Sequence, residues 1–176
     1  MKMKNNNFKI AMLAIALSIT ALTTKAQEAF KKSDKIVEGS VAWSIGNNDC
    51  DYSADLSLGH FVTGRFAVGI TGGIAKSTMD STSNTNVGVF GRCHFLNVGD
   101  HLKVYSQLGA NYETKVKDFS AVLGIGANYF VSSKLALTVH LTDLASYSSA
   151  SNTMAVGLGN IDNPFRTAKF GLLYKF

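Results

Sequence analysis

Proline is nearly missing from this sequence: Pro164 is the only one in 176 residues. A chain so poor in proline, with 16 glycines and 46% hydrophobic residues, is not a disordered, proline-rich polymer. Charge is scarce as well. Only 16% of residues are Asp, Glu, Lys or Arg, against about 25% in ordinary soluble domains. The formal net charge of +5 is concentrated at the start, where Lys2, Lys4, Lys9 and Lys25 fall within the first 26 residues. Beyond them, thirteen basic residues face twelve acidic ones. A near-neutral body lacks the positive field that holds nucleic acid. Cysteine is limited to Cys50 and Cys93. Long apolar runs are absent too. The run from Ile10 to Leu22 has 13 residues, whereas a bilayer-spanning helix needs about 20. No later segment is longer, and none keeps a helical period.

The short run belongs to an export signal. Lys2, Lys4 and Lys9 form a basic start, Ile10 to Leu22 the apolar centre, and Thr24 and Ala26 the small residues before a cut between Ala26 and Gln27. The expected organisation is a signal peptide over 1–26, a short periplasmic lead-in over 27–34 and one domain over 35–176. No cysteine lies near the cut, so the sequence offers no site for a lipid on the new amino terminus.

From residue 35 onward the period is two, the mark of a strand. "KIVEGSVAWSI" (35–45) alternates Val37, Gly39, Val41, Trp43 with Ile36, Glu38, Ser40, Ala42. Similar segments fall at 52–61, 66–75, 86–95, 102–112, 119–131, 134–142 and 165–176. Their connections differ in kind. "GNNDCD", "KSTMDSTSNT", "ETKVKD" and "SYSSASNTMAVGLGNIDNP" are long or polar, and "VTGR", "LNVGD" and "VSS" are tight. Eight strands joined in this way predict an antiparallel up-and-down β-barrel, with both chain ends on the short-turn side. Met154 to Gly159 also alternates, as a strand extension or as loop. This order puts Cys50 and Cys93 at opposite ends, beyond the ~7 Å within which a disulfide forms, so two free thiols are expected.

Alternation alone leaves open which face is outside. One face is Val, Leu, Ile and aromatic; the other is Gly, Ala, Ser, Thr and Asn with isolated charges. A water-facing surface would carry many Lys and Glu. Small residues instead suit the narrow lumen of an eight-stranded barrel. The interior polar set is Glu38, Asp55, Arg92, His94, Lys103, Tyr105, His140 and Lys169, whose charges must pair there. The aromatics of the apolar face sort by height. Phe66, Phe95, Tyr129, Tyr174 and Phe176 fall near the short turns; Trp43, Tyr52, Tyr112 and Phe119 fall near the long loops. Two belts around an aliphatic band predict a transmembrane barrel with its apolar face on lipid. Backbone groups in hydrocarbon must all be paired, so the terminal "AKFGLLYKF" is expected to close the ring against the first strand.

The cleaved signal, the eight alternating segments, "GHFVTGRFAVG", "FGRCHF" and the terminal "FGLLYKF" together resemble small bacterial outer-membrane β-barrels of the OmpA/OmpX type, the porin-like β-barrel family. The resemblance covers most of residues 35–176. It implies residence in the bacterial outer membrane, contact with outer-membrane lipid and lipopolysaccharide, and a terminal strand (Phe170, Leu172, Tyr174, Phe176) read by the barrel-assembly machinery.

Catalytic, cofactor and metal sites find no support. Lipid A deacylases carry a His and a Ser two residues apart on the lipid face; the nearest match, His140 with Thr142, turns inward by parity. The four histidines share no ligand-like spacing. The sequence therefore points to a non-enzymatic outer-membrane barrel with a filled lumen and a structural or envelope-integrity role. The competing readings are a surface adhesin using the loops around 76–85 and 146–164 for an unidentified ligand, a narrow pore, and a lipid-modifying enzyme.

Overall fold

The computed structural model describes residues 30–45, 50–77, 82–115, 117–150, 152–156 and 168–176. The segment expected to be an export signal, the cut expected after Ala26 and parts of the two Ser/Thr/Asn-rich loops lie outside them. The strands are β1 (Lys35–Ile45), β2 (Cys50–Phe61), β3 (Phe66–Ser77), β4 (Thr82–Val98), β5 (Leu102–Glu113), β6 (Asp118–Phe130), β7 (Leu135–Ser148), β8 (Thr153–Val156) and β9 (Ala168–Lys175). All pair antiparallel. Neighbours in sequence are neighbours in space from β1 to β7, and β9 lies between β7 and β1. The ring is therefore closed by eight staves. β8 is a short strand on the loop-side part of β7, at Ala145–Ser148.

Closure involves both chain ends. Ile36 pairs with Lys175 and Val41 with Phe170. Beyond the ladder, Lys35 and Phe176 exchange both backbone hydrogen bonds at 3.0 Å. Phe176 thus extends the β1–β9 seam, and the eight staves leave no free edge among themselves for the bilayer to solvate.

The period of two sets the orientation. Leu56, Leu58, Val68, Ile70, Val89, Leu108, Leu137 and Leu172 are exposed on the outside. Glu38, Arg92, His94, Lys103, Tyr105, Asn128 and Thr138 are buried inside. A barrel with aliphatic side chains outside and charges inside inverts the arrangement of a water-soluble body and fits the hydrocarbon of a membrane. Trp43, Tyr52, Tyr112 and Phe119 are exposed toward the loop end, and Phe66, Tyr129, Tyr174 and Phe176 toward the turn end.

Phe95, expected in the turn-side belt, departs from this pattern. The β4–β5 register shifts between His94 and Leu96, so Phe95 is the extra residue of a bulge, half-buried and opposite no β5 residue. The extra residue reverses parity. Leu96 and Val98 face out below it, and β4 runs on to Val98, where the sequence pattern ended it at Phe95.

The short turns are built alike. In Val62–Arg65, Thr63 Oγ1 accepts from the Arg65 and Phe66 amides at 3.2 and 2.9 Å. In Val131–Lys134, Ser132 Oγ accepts from the Lys134 and Leu135 amides at 3.3 and 3.1 Å. Each hydroxyl stands in for a backbone acceptor in a tight link. Gly99, with φ of 59°, supplies the left-handed residue of the third turn. Cys93 is free and half-buried toward the turn end of β4. Cys50 begins β2 at the opposite end, and its side chain lies outside the described set.

Above the loop-side belt, Asp118 ties β6 to the β7–β8 turn. Its carboxylate accepts from Ser148 Oγ at 2.6 Å, Ser149 Oγ at 2.9 Å and the Ala150 amide at 2.8 Å. These donors, led by Ser148, hold the carboxyl below its ordinary value. A lowered folded value means the clamp contributes fully above the ordinary carboxylate range, around 3.9, and is lost as pH falls through the lowered value. Asp118→Asn should loosen the turn at neutral pH. The check is amide exchange at Ser149 and Ala150, which should speed up severalfold in the variant while the β2–β3 ladder stays protected.

Candidate functional site

The inward side chains form three tiers. The uppermost, toward the loops, holds the ion pair Lys169 Nζ–Asp55 Oδ2 at 2.6 Å, linking β9 to β2. Against it lies a polar cavity of about 80 Å³, lined by this pair and by residues including Ser40, Ser57, Thr71, Asn86, Asn111 and His140. The space and its polar lining suit a few bound waters.

The middle tier is a fully buried guanidinium. Arg92 on β4 donates through Nη1 to Glu38 Oε2 on β1 at 2.6 Å, across the lumen. Its Nε donates to Gln107 Oε1 at 2.9 Å. The same group lies 4.1 Å from the Tyr105 ring centroid and 5.3 Å from that of Phe90. One cation is thus neutralised, hydrogen-bonded and stacked at once, the combination a buried charge requires. Glycine makes room for the bulk. A Cβ on Gly126 would collide with the Tyr105 phenol, one on Gly124 with His140 Nε2, and one on Gly69 with the Phe90 ring. Gly126→Ala should therefore force Tyr105 off its seat and lower stability by roughly 1–3 kcal/mol, read from urea unfolding in lipid vesicles.

The lowest tier is apolar. Phe30, Ile36, Phe61, Ala67, Phe130, Ala136 and Leu173 form a buried cluster at the turn end. Beside it, Asn128 Nδ2 and His94 Nε2 lie 3.1 Å apart, and Lys103 Nζ donates to the Gly99 carbonyl at 3.3 Å. Phe30 comes from the lead-in, not from a stave.

The eight residues of the expected interior set all fall in the lumen, but not in one network. Arg92 meets both Glu38 and Tyr105, and Asp55 meets Lys169. His94 bridges Tyr105, at 5.3 Å between ring centroids, to the aromatic floor. His140 packs 5.8 Å from Tyr105, and Lys103 turns to the Gly99 carbonyl. The pattern did not single out Gln107, the second anchor of Arg92, or Phe30. Gln107 was legible as a polar residue in an inward frame, and Phe30 as an aromatic residue just ahead of β1.

His60 is exposed on β2, and His101 bonds the Phe130 carbonyl through Nδ1 at 2.8 Å. Among the described residues no group of three His, Cys, Asp or Glu could hold a metal ion. The Thr142 side chain, the partner considered for His140, lies outside the described set.

No family model and no curated protein matches the chain. Solved structures do. A de novo designed transmembrane β-barrel superposes with a TM-score of 0.50 at 19% identity, covering 83% of this chain and 97% of the other. The outer-membrane protein OprG of Pseudomonas aeruginosa superposes with a TM-score of 0.50 at 11% identity, covering 86% and 99%. The outer-membrane protein Ail of Yersinia pestis gives 0.48 at 13% identity, covering 83% and 100%. The chain has the fold of a transmembrane β-barrel of the small outer-membrane type, consistent with its inverted surface.

Proposed function

We propose that this chain is a non-enzymatic integral β-barrel of a bacterial outer membrane, with a structural role in the envelope and no general diffusion path through its lumen. One observation carries the reading. Arg92 on β4 and Glu38 on β1, three staves apart, pair across the lumen above an apolar floor rich in aromatic rings, so a path wide enough for nutrients is closed by side chains. The apolar exterior, aromatic at both heights, suits a bilayer with headgroups at each belt. Outer-membrane lipid, lipopolysaccharide included, is the partner this surface would meet. Removing the chain from cells should then raise their sensitivity to detergent and bulky hydrophobic antibiotics. Equal sensitivity with and without it contradicts an envelope role.

The assembly machinery is a second proposed partner, acting on β9. Phe170, Leu172, Tyr174 and Phe176 share one outward face. Phe170 stacks on Trp43 at 5.8 Å, and Tyr174 lies 6.2 Å from Phe176. Deleting Phe176 removes one aromatic residue and the Lys35 exchange, and should lower the folded fraction in membranes severalfold. Heat-modifiable migration of the membrane fraction measures this; an unchanged folded fraction rejects the role.

A further inference from the structure

The strap before β1 does more than lead the chain into the wall. The Ser33 amide donates to the Phe61 carbonyl, and the Phe61 amide to the Asp34 carbonyl, both at 2.8 Å. The Asp34 carboxylate accepts from the Lys31 amide at 2.8 Å and lies 3.6 Å from Lys175 Nζ. These contacts hold the strap under the turn-side mouth and aim Phe30 upward into it. Its side chain belongs to a residue only 2% exposed. The ring stacks on Phe61 at 4.1 Å, lies 4.7 Å from the His94 ring and meets Phe130 edge-on at 5.4 Å. The staves contribute Ala67 and Ala136 to the same cluster, both fully buried. Their small side chains leave the centre of the mouth for a ring that no stave supplies.

We infer that Phe30 is a stopper, and that the lumen is a latent path for water and small ions held shut by the strap. Two features point to permeation. A ring packed among apolar side chains in a narrow mouth excludes water, as hydrophobic constrictions do in channels. The groups behind it are polar: His94, Asn128 and Lys103 are all buried at this end. Withdrawing Phe30 would expose them to the turn-side solution; above them the Arg92–Glu38 pair borders the polar cavity on the loop side, so the path admits only water and small ions that pass that pair. The strap is not a stave, so its withdrawal releases the Phe61 backbone bonds but leaves the stave-to-stave ladders paired.

The inference rests on the proposed reading of a lumen closed at rest, and planar-bilayer recording of the purified chain tests the two separately. The parent should give a flat trace. Phe30→Ala should show discrete small openings. Asp34→Asn, which keeps the ring but weakens its tether, should show briefer ones, and Phe30→Trp should stay closed. All four proteins are checked for folding by heat-modifiable migration. Flat traces from folded Phe30→Ala and Asp34→Asn overturn the stopper and leave the closed lumen standing. Equal openings in parent and Phe30→Ala overturn both.

Discussion

Replacing Glu38 with alanine should lower the stability of the barrel in lipid vesicles by about 3–5 kcal/mol, because it strands a buried guanidinium. The size follows from position. Arg92 and Glu38 have side chains 1% and 5% exposed, so little solvent is at hand to replace the lost carboxylate. Gln107 would keep its bond to Nε, and Tyr105 its stacking, but neither is an anion. The double variant Glu38→Met with Arg92→Met separates two explanations. If the single loss reflects an unpaired charge, the double variant should recover most of it, since an apolar pair of similar volume often matches a buried ion pair. If the loss reflects packing, the double variant should be no better than the single. Urea titration of all three chains in the same vesicles reads the difference. The same comparison bears on whether the interior charges hold the barrel or merely occupy it.

The second large effect lies on the opposite face. Ile70 is 59% exposed in the middle of β3, between Leu58 on β2 and Val89 on β4. Ile70→Lys should cost about 2–4 kcal/mol in a bilayer, the range for a basic residue at the midplane of a transmembrane barrel. On a water-soluble protein the same change at so exposed a site would be close to neutral. Moving the lysine toward the loops along the same face, to Ile74 and then to the native Lys76, should shrink the cost stepwise. A cost independent of height would mean that the outer face does not meet a bilayer core.

The alternation made most of this legible. Leu56, Val68 and Leu137 could be assigned outward because every second neighbour was small or polar, and one frame held along β2, β3 and the first part of β7. The interior charges were legible for the same reason: Glu38 shares its frame with Ser40 and Ala42, Asp55 with Ser53 and Ser57, and Lys169 with Gly171. What stayed hidden needs information that pairs of strands do not carry. Around Phe95 the run "HFLNV" fits either frame equally well, so nothing local marks the bulge that turns Leu96 and Val98 outward. Gln107 has no distinguishing neighbours; its role depends on Arg92 reaching it from β4. Phe30 lies in a short polar segment outside the repeating pattern, and its burial depends on Phe61 and Phe130, brought together only when the ring closes. The pattern reads the wall well and the lumen's contents poorly, because wall positions are set by local parity and lumen contacts by distances across the barrel.

The most direct test of the account is the accessibility of nitroxide labels placed one at a time at Val68, Ile70, Gly72 and Ile74 in vesicle-reconstituted protein. Dissolved oxygen, which partitions into acyl chains, should relax all four labels strongly, with its largest excess over a water-soluble nickel reagent at Ile70 and Gly72. Labels at these positions that respond mainly to the nickel reagent would place the apolar face in water and contradict the membrane orientation.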